Sequence, residues 1–495
     1  MSQNAEGIAW AQTFLSKPAL AVLTLLTLGA LAEAAPWPEL RIFRPPTSSG
    51  GPSGAAERAP KASVARPEAG EAQTTEATTR LNLATPAHPS AERPGGRFGG
   101  QAAPLDWSSI ETEPPPVPIV DGTGHALDGF FAALERTQRK EAGAITRIAH
   151  FGDSVIVSDY VSGTLRRKLQ GTFGDSGHGY MLIANAWPAY FHNDVFRFAT
   201  SGFRVSRIVG PTIKDGLYGL GGATFKAGPG LIARYGTAEE GEVGRSVSRF
   251  VLSYLAEPGA GTILVKVDEG EPQAIDTSEP ARAVRQREIR VPDGPHRFEL
   301  SFRGPTSRAF GVVLERDVPG VVLDALGVQG ARIRFLDEQN DEHYKNELAW
   351  RKPNLIAYQF GANESGDGYA YPMDQYQTTM QAVIKQGQAA LPDASCLVIG
   401  AMDRARVENG QVTSMKIIQL IVAEQRRAAE ALGCAYFDTY AAMGGWGAMP
   451  AWVRRGLGQA DMTHPTGVGA IRIGNWLYQA LMDRYAEYLK RRAAQ

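Results

Sequence analysis

The 495-residue sequence is poor in cysteine and has almost no net charge. Two cysteines, Cys396 and Cys434, cannot furnish a disulfide scaffold, a Cys-rich zinc site or an iron–sulfur cluster. Each opens an apolar run (CLVIG and CAYFD), so the first reading is two buried free thiols, with one structural disulfide as the alternative. Lys plus Arg number 51 against 52 Asp plus Glu, a formal charge of -1, so no global basic field exists to attract nucleic acid or anionic lipid. Any partner must be recognised locally.

Also missing is an apolar run of the ~20 residues that a spanning helix needs. The uncharged segment 18–32 (PALAVLTLLTLGALA) has 15, follows Lys17, and ends in small residues that offer ALA or AEA as a cleavage site. Residues 1–35 therefore read as an export signal. Two forms stay open: a cleaved signal peptide, or a membrane anchor lengthened by Ile8, Trp10, Phe14 and Leu15. Either puts the rest of the chain in the periplasm or cell envelope, the second with a membrane tether. Residues 36–118 are dominated by Pro, Ala, Gly, Ser, Thr, Glu and Arg without a sustained apolar period, which reads as a disordered Pro/Ala-rich linker.

What the chain does have, beyond this point, is 43% hydrophobic residues overall and a regular alternation of apolar runs with amphipathic segments. ITRIAHF, VVLDALGV, NLIAYQF, SCLVIGAM and CAYFD have the length of buried strands. The helical spacing of ALDGFFAALERTQRK and of segments 339–350, 373–390 and 415–432 falls between them. Strand and helix in alternation predict an α/β fold, a doubly wound parallel sheet whose ligands sit at the carboxyl ends of the strands. Between about 196 and 317 the alternation gives way to short Val-, Ile-, Phe- and Tyr-rich runs separated by Gly, Pro and Asp turns, the pattern of a β-sandwich. Because α/β segments resume afterward, the sandwich is inserted: the α/β domain comprises 119–195 and 318–495.

Four short segments carry candidate chemistry. IAHFGDSVIVSDY places Ser154 at a strand-to-helix turn, where a hydroxyl is presented at the strand's carboxyl end and the backbone N–H can face a developing oxyanion. An N-capping Ser or Asp would look the same in isolation. Asp461 and His464, in QADMTHPTG, lie in a loop before a C-terminal helix, where a carboxylate can orient an imidazole that serves Ser154 as general base. Asn363 in GANES and the backbone N–H of Gly330 in QGARI could each donate to the same oxyanion. Ser154, Gly330 and Asn363 each follow a different expected strand of one sheet. No cluster of His, Cys and carboxylates accompanies them, so no metal or organic cofactor is implied.

This order resembles the SGNH (GDSL-like) hydrolase superfamily: Ser in a GDS block, Gly in a second, Asn in a GxN third, then Asp-x-x-His. The resemblance implies a triad of Ser154, Asp461 and His464 and an oxyanion hole formed by the Ser154 N–H, the Gly330 N–H and the Asn363 side chain. More narrowly, GDSVIVSDYVSGTLRRKLQGTFGDSGHGY, PAYFHNDV and PGVVLDALGVQGAR around an inserted β-sandwich are similar to bacterial peptidoglycan O-acetylesterases. Those carry a carbohydrate-binding-like insert and remove acetyl groups from the muramic acid C6 hydroxyl. Val155 stands where those enzymes usually have His, and Glu364 where Asp is common in the superfamily. The resemblance implies an exported serine acetylesterase acting on an O-acetylated glycan, peptidoglycan first. The rivals are an acetylesterase or O-acetyltransferase on another exopolysaccharide and an inactive wall-binding structural protein.

Three further features look functional only in isolation. The second GDS, ending in Ser176, follows no strand-like run and sits in a Gly-rich loop, so Ser176 is structural or substrate-facing. The Gly-rich segment 218–228 lacks the strand, helix and Lys-Ser/Thr of a phosphate-binding loop. His178 and His192 either line the cleft or sit in surface or core.

Overall fold

The period of two along an extended chain sorts the apolar runs of this sequence onto two faces of one sheet. The computed structural model describes residues 115–494. The export segment and nearly all of the expected linker lie outside the described residues. Among those described, no helix is long and apolar enough to cross a membrane.

Five parallel strands form the sheet: β1 (Ile145–Gly152), β2 (Gly320–Gly327), β3 (Leu355–Gln359), β4 (Ser395–Ile399) and β5 (Ala435–Phe437). Their spatial order is β2-β1-β3-β4-β5. Leu355, Ala357, Leu397 and Ile399 point to one apolar core. Ile356, Tyr358, Cys396 and Val398 point to the other. Helices α1 (Asp128–Gln138), α3 (Tyr160–Phe173) and α7 (Gly467–Ala493) cover the first face through Phe130, Leu134, Leu165, Leu169, Ile473 and Leu477. Helices α4 (Asp341–Arg351), α5 (Met373–Ala390) and α6 (Ile417–Ala431) cover the second through Tyr344, Leu348, Tyr376, Met380, Ile418 and Ile421. A one-turn helix, α2 (Ser154–Val157), stands between β1 and α3. Because the chain leaves β1 for β2 on one side and then returns to β3 on the other, the carboxyl ends of these three adjacent strands form the switch point where α/β proteins hold ligands.

The cysteines correct one expectation. Cys396 and Cys434 are not free thiols: they form a disulfide between the second residue of β4 and the residue preceding its neighbour β5, with Cα atoms 4.7 Å apart. Parallel pairing brings together two residues that are 38 apart in sequence and that local pattern alone could not relate.

Antiparallel strands fill the interval between α3 and β2. One sheet runs 283–294, 247–256, 307–315, 223–227 and 204–207, with Gly177–Leu182 also paired to 307–315. The other runs 195–199, 232–237, 297–303, 262–267 and 273–276. Phe250 of the first sheet and Phe298 of the second stack with ring centroids 4.7 Å apart.

Buried charges fasten this insert to the parallel sheet. Glu315, at the end of strand 307–315 and fully buried, accepts from Arg147 of β1 (2.9 Å), Arg351 of α4 (2.8 Å) and Arg249 of the insert. Arg351 in turn forks onto Asp324 of β2 at 2.9 and 2.8 Å. Removing any one partner would strand the others as uncompensated charges in a low-dielectric interior.

Candidate active site

β1 ends in Gly152, where a Cβ would come within 2.4 Å of the Ile156 side chain and 2.9 Å of the Gln359 carbonyl. Only glycine lets the chain turn this tightly into α2. Asp153 caps that helix, its carboxylate accepting from the Val155 N–H at 3.0 Å. The cap and the candidate nucleophile are therefore adjacent residues with separate jobs: Asp153 ends the strand's turn and Ser154 opens the helix.

The Ser154 hydroxyl lies 2.7 Å from His464 Nε2, and His464 Nδ1 lies 2.6 Å from Asp461 Oδ2. Asp461 Oδ1 also accepts from the backbone N–H groups of Thr463 (2.9 Å) and His464 (3.0 Å), which fixes the carboxylate relative to the ring it serves. The loop is held by Gln459 N–H donating to the His464 carbonyl, and Thr466 caps α7 directly behind it. Residues 310 positions apart thus meet over the end of β1.

Gly330 follows β2 in left-handed backbone (φ +81°) with open space where a side chain would be. Asn363 follows β3, and its Nδ2 donates to the Ala331 carbonyl at 2.9 Å. That bond ties the Gly330 loop to the Asn363 loop, and an amide has a second N–H to offer. Glu364 adds a second tie: its Oε1 accepts from the Ile333 N–H at 2.8 Å. The loop after β2 also joins β1, because Val328 N–H donates to the Gly152 carbonyl at 3.0 Å.

Charge in the site is arranged around His464. Its hydrogen bond from Nδ1 to Asp461 raises its pKa above the ordinary imidazole value, against an opposing effect of burial. Burial works to raise the Asp461 carboxyl, but the hydrogen bonds from the His464 ring, its backbone and Thr463 outweigh it and hold the group below its usual range. Burial pushes Asp153 up to about 6 despite the Val155 N–H and the nearby His464, and pushes Glu364 up to about 7.

The decoys fall elsewhere. Ser176 is fully buried and donates to the Val318 carbonyl, so it is a structural serine, and Gly177 after it begins a strand rather than continuing a loop. His178 and His192 are buried beside each other, 6.3 Å between ring centroids, near the Asp159–Arg166 pair of α3, which holds the Asn193 backbone through its N–H and its carbonyl. Arg404, to which the sequence drew no attention, lies among the same loops as His464 and Asn363. Nothing in its local pattern marks it, since it follows the apolar run of β4 without a motif of its own.

Residues 295–470 match the GDSL-like Lipase/Acylhydrolase family model. The matched stretch holds Gly330, Asn363, Asp461 and His464, while Ser154 lies before it, on the far side of the inserted sheets. Of the solved structures similar to this chain, a peptidoglycan O-acetylesterase shares 20% identity over 74% of this chain and 99% of its own, with a TM-score of 0.63. A family two carbohydrate esterase from Cellvibrio japonicus (14% identity, 60% of this chain and 99% of its own) and an acetylxylan esterase from Geobacillus stearothermophilus (15%, 34% and 73%) both give TM-scores of 0.25, too low to describe a common fold. No curated protein matches the sequence.

Proposed function

We propose that this protein is an exported serine esterase that removes O-acetyl groups from cell-wall polysaccharide, peptidoglycan first. The observation that carries the reading is the continuous relay Ser154–His464–Asp461 at the switch point of the sheet. Ser154 Oγ attacks the acetyl carbonyl while His464 Nε2 takes its proton, and Asp461 keeps the Nδ1–H tautomer and stabilises the imidazolium. The carbonyl oxygen, now an anion, is met by the N–H groups of Ser154 and Gly330 and by the Asn363 amide. Collapse of the tetrahedral species breaks the ester C–O bond, and His464 gives its proton to the departing sugar hydroxyl. Water, deprotonated by the same imidazole, then cleaves the acetyl-Ser154 ester and releases acetate.

Two further points support the finer parts of the reading. The solved peptidoglycan O-acetylesterase is matched over nearly its whole length, 99% of that chain against 74% of this one. The Cys396–Cys434 disulfide is of a kind that persists in oxidising compartments, which agrees with export through the apolar segment 18–32. The deciding experiment is acetate release from O-acetylated peptidoglycan, compared at equal acetyl content with acetylated xylan and acetylated alginate. Preference for peptidoglycan by tenfold or more in kcat/KM upholds the assignment. Equal or reversed preference moves the substrate to another glycan, and acetyl appearing on an acceptor sugar instead of as free acetate makes the enzyme a transferase.

A further inference from the structure

Arg404 lies five residues beyond the end of β4 and immediately precedes a hairpin of strands Ala405–Glu408 and Gln411–Ser414. Its guanidinium does not stay with that hairpin. Nε donates to Thr463 Oγ1 at 3.0 Å, and Nη1 donates to the Ala362 carbonyl at 2.9 Å and to Ser365 Oγ at 3.1 Å. Thr463 immediately precedes His464, and Ala362 immediately precedes Asn363. One planar side chain therefore spans the loop that carries the general base and the loop that carries the oxyanion donor. Ser365 returns its own proton to the Ala362 carbonyl, and Thr463 donates to the Asp461 carbonyl, so each acceptor is itself fixed.

The main chain beside Arg404 reinforces the same connection. Ala405 N–H donates to the Met462 carbonyl at 3.0 Å, and Met415 N–H donates to the Arg404 carbonyl at 2.7 Å, closing the hairpin base. The arginine's backbone is thus set by the hairpin and by the His464 loop before its side chain reaches across. A forked, planar cation can satisfy acceptors on two separate loops at once, whereas a single ammonium on a flexible stem can centre on only one.

We propose that Arg404 is a positioning residue that sets Asn363 and His464 in register over Ser154. The role rests on the serine-esterase reading of the site. It matters because the two groups must act on one carbonyl: His464 takes the proton from Ser154 while Asn363 meets the oxygen on the other side. Loops that drift by an ångström lose on the order of a hundredfold in rate, with little change in substrate affinity.

The test uses the full chain with a chromogenic acetyl ester and, separately, the rate at which phenylmethanesulfonyl fluoride modifies Ser154, which requires no acetyl substrate. Arg404→Ala should lower kcat by about tenfold to a hundredfold with KM within about twofold of wild type, and should slow sulfonylation in parallel. Arg404→Lys, which keeps the charge, should remain within a few fold of the alanine variant. Thr463→Val, a milder change that removes one acceptor, should lower kcat less, and combining it with Arg404→Ala should add almost nothing. Full rescue by lysine, strict additivity of the double variant, or a rise in KM at unchanged kcat would each overturn the proposal, and melting temperatures separate these from loss of fold. If Arg404→Ala matches wild type while Ser154→Ala is dead in both assays, the positioning role falls and the esterase reading stands. A wild-type protein inert in both assays removes both.

Discussion

Replacing Asp461 by Asn tests the catalytic reading at its most specific point. Asp461 Oδ1 accepts two backbone N–H groups, from Thr463 and His464, and Oδ2 accepts from His464 Nδ1 at 2.6 Å. An asparagine amide has one acceptor oxygen, and the two N–H groups claim it, so the NH2 group must take the place of Oδ2. There it offers a proton to Nδ1, which must become the acceptor, and the ring proton moves to Nε2. His464 then faces Ser154, 2.7 Å away, as a donor and cannot take its proton. For a wrong-tautomer triad the loss is about 10⁴ in kcat, or about 5 kcal/mol of transition-state stabilisation, while ester binding is untouched. The pH profile supplies a second reading. Activity requires neutral His464, whose pKa is raised chiefly by its bond to Asp461, so the wild-type acid limb lies above the ~6.5 of free imidazole. Without the carboxylate, the residual activity of the variant should keep its acid limb at lower pH. Steady-state hydrolysis of a chromogenic acetyl ester from pH 5 to 8, with buffer background subtracted, measures both. A variant that retains more than a tenth of wild-type kcat, or whose acid limb moves toward higher pH, would refute the reasoning.

Ser154→Ala should reduce acetyl-ester turnover by several orders of magnitude with an unchanged melting temperature, whereas Ser176→Ala, which loses only a buried bond to Val318, should keep wild-type kcat and lose stability instead. Comparable kinetic losses from the two would contradict the assignment. Asn363→Ala should lower kcat by about 10²–10³ with KM little changed, because its donor serves charge present only in the transition state. An effect confined to KM would make Asn363 a substrate-binding residue. Glu315→Gln should destabilise the fold by about 3–5 kcal/mol in urea titrations, since Arg147, Arg249 and Arg351 would lose their shared buried counter-charge. Burial favours the protonated form of Glu315, but the three guanidiniums outweigh it and hold its pKa far below the usual carboxylate range. Its contribution is therefore complete above the unfolded pKa of about 4.5 and is lost as pH falls toward the folded value, so the wild-type and glutamine stabilities should converge in acid.

The sequence by itself determined the elements and the order of the chemistry. Apolar runs such as NLIAYQF and SCLVIGAM became β3 and β4 because a buried strand must be apolar on both faces, and 373–390 became α5 because its apolar residues recur at helical spacing. The candidate site was legible for the same reason. Ser154, Gly330 and Asn363 each follow a strand, and in a parallel sheet every strand delivers its next residue to the same edge. Tertiary structure decided what depends on distance rather than period. Nothing local pairs Cys396 with Cys434, shows that Ser176 is buried against the Val318 carbonyl, or brings Arg404 between Ala362 and Thr463. The Glu315 cluster likewise unites β1, α4 and the insert from residues that are ordinary surface charges in isolation. Such contacts join segments far apart in the chain, and their partners are fixed only when strand order and the insert's return point are fixed. Periodicity records which face of an element is buried, and folding alone selects what it is buried against.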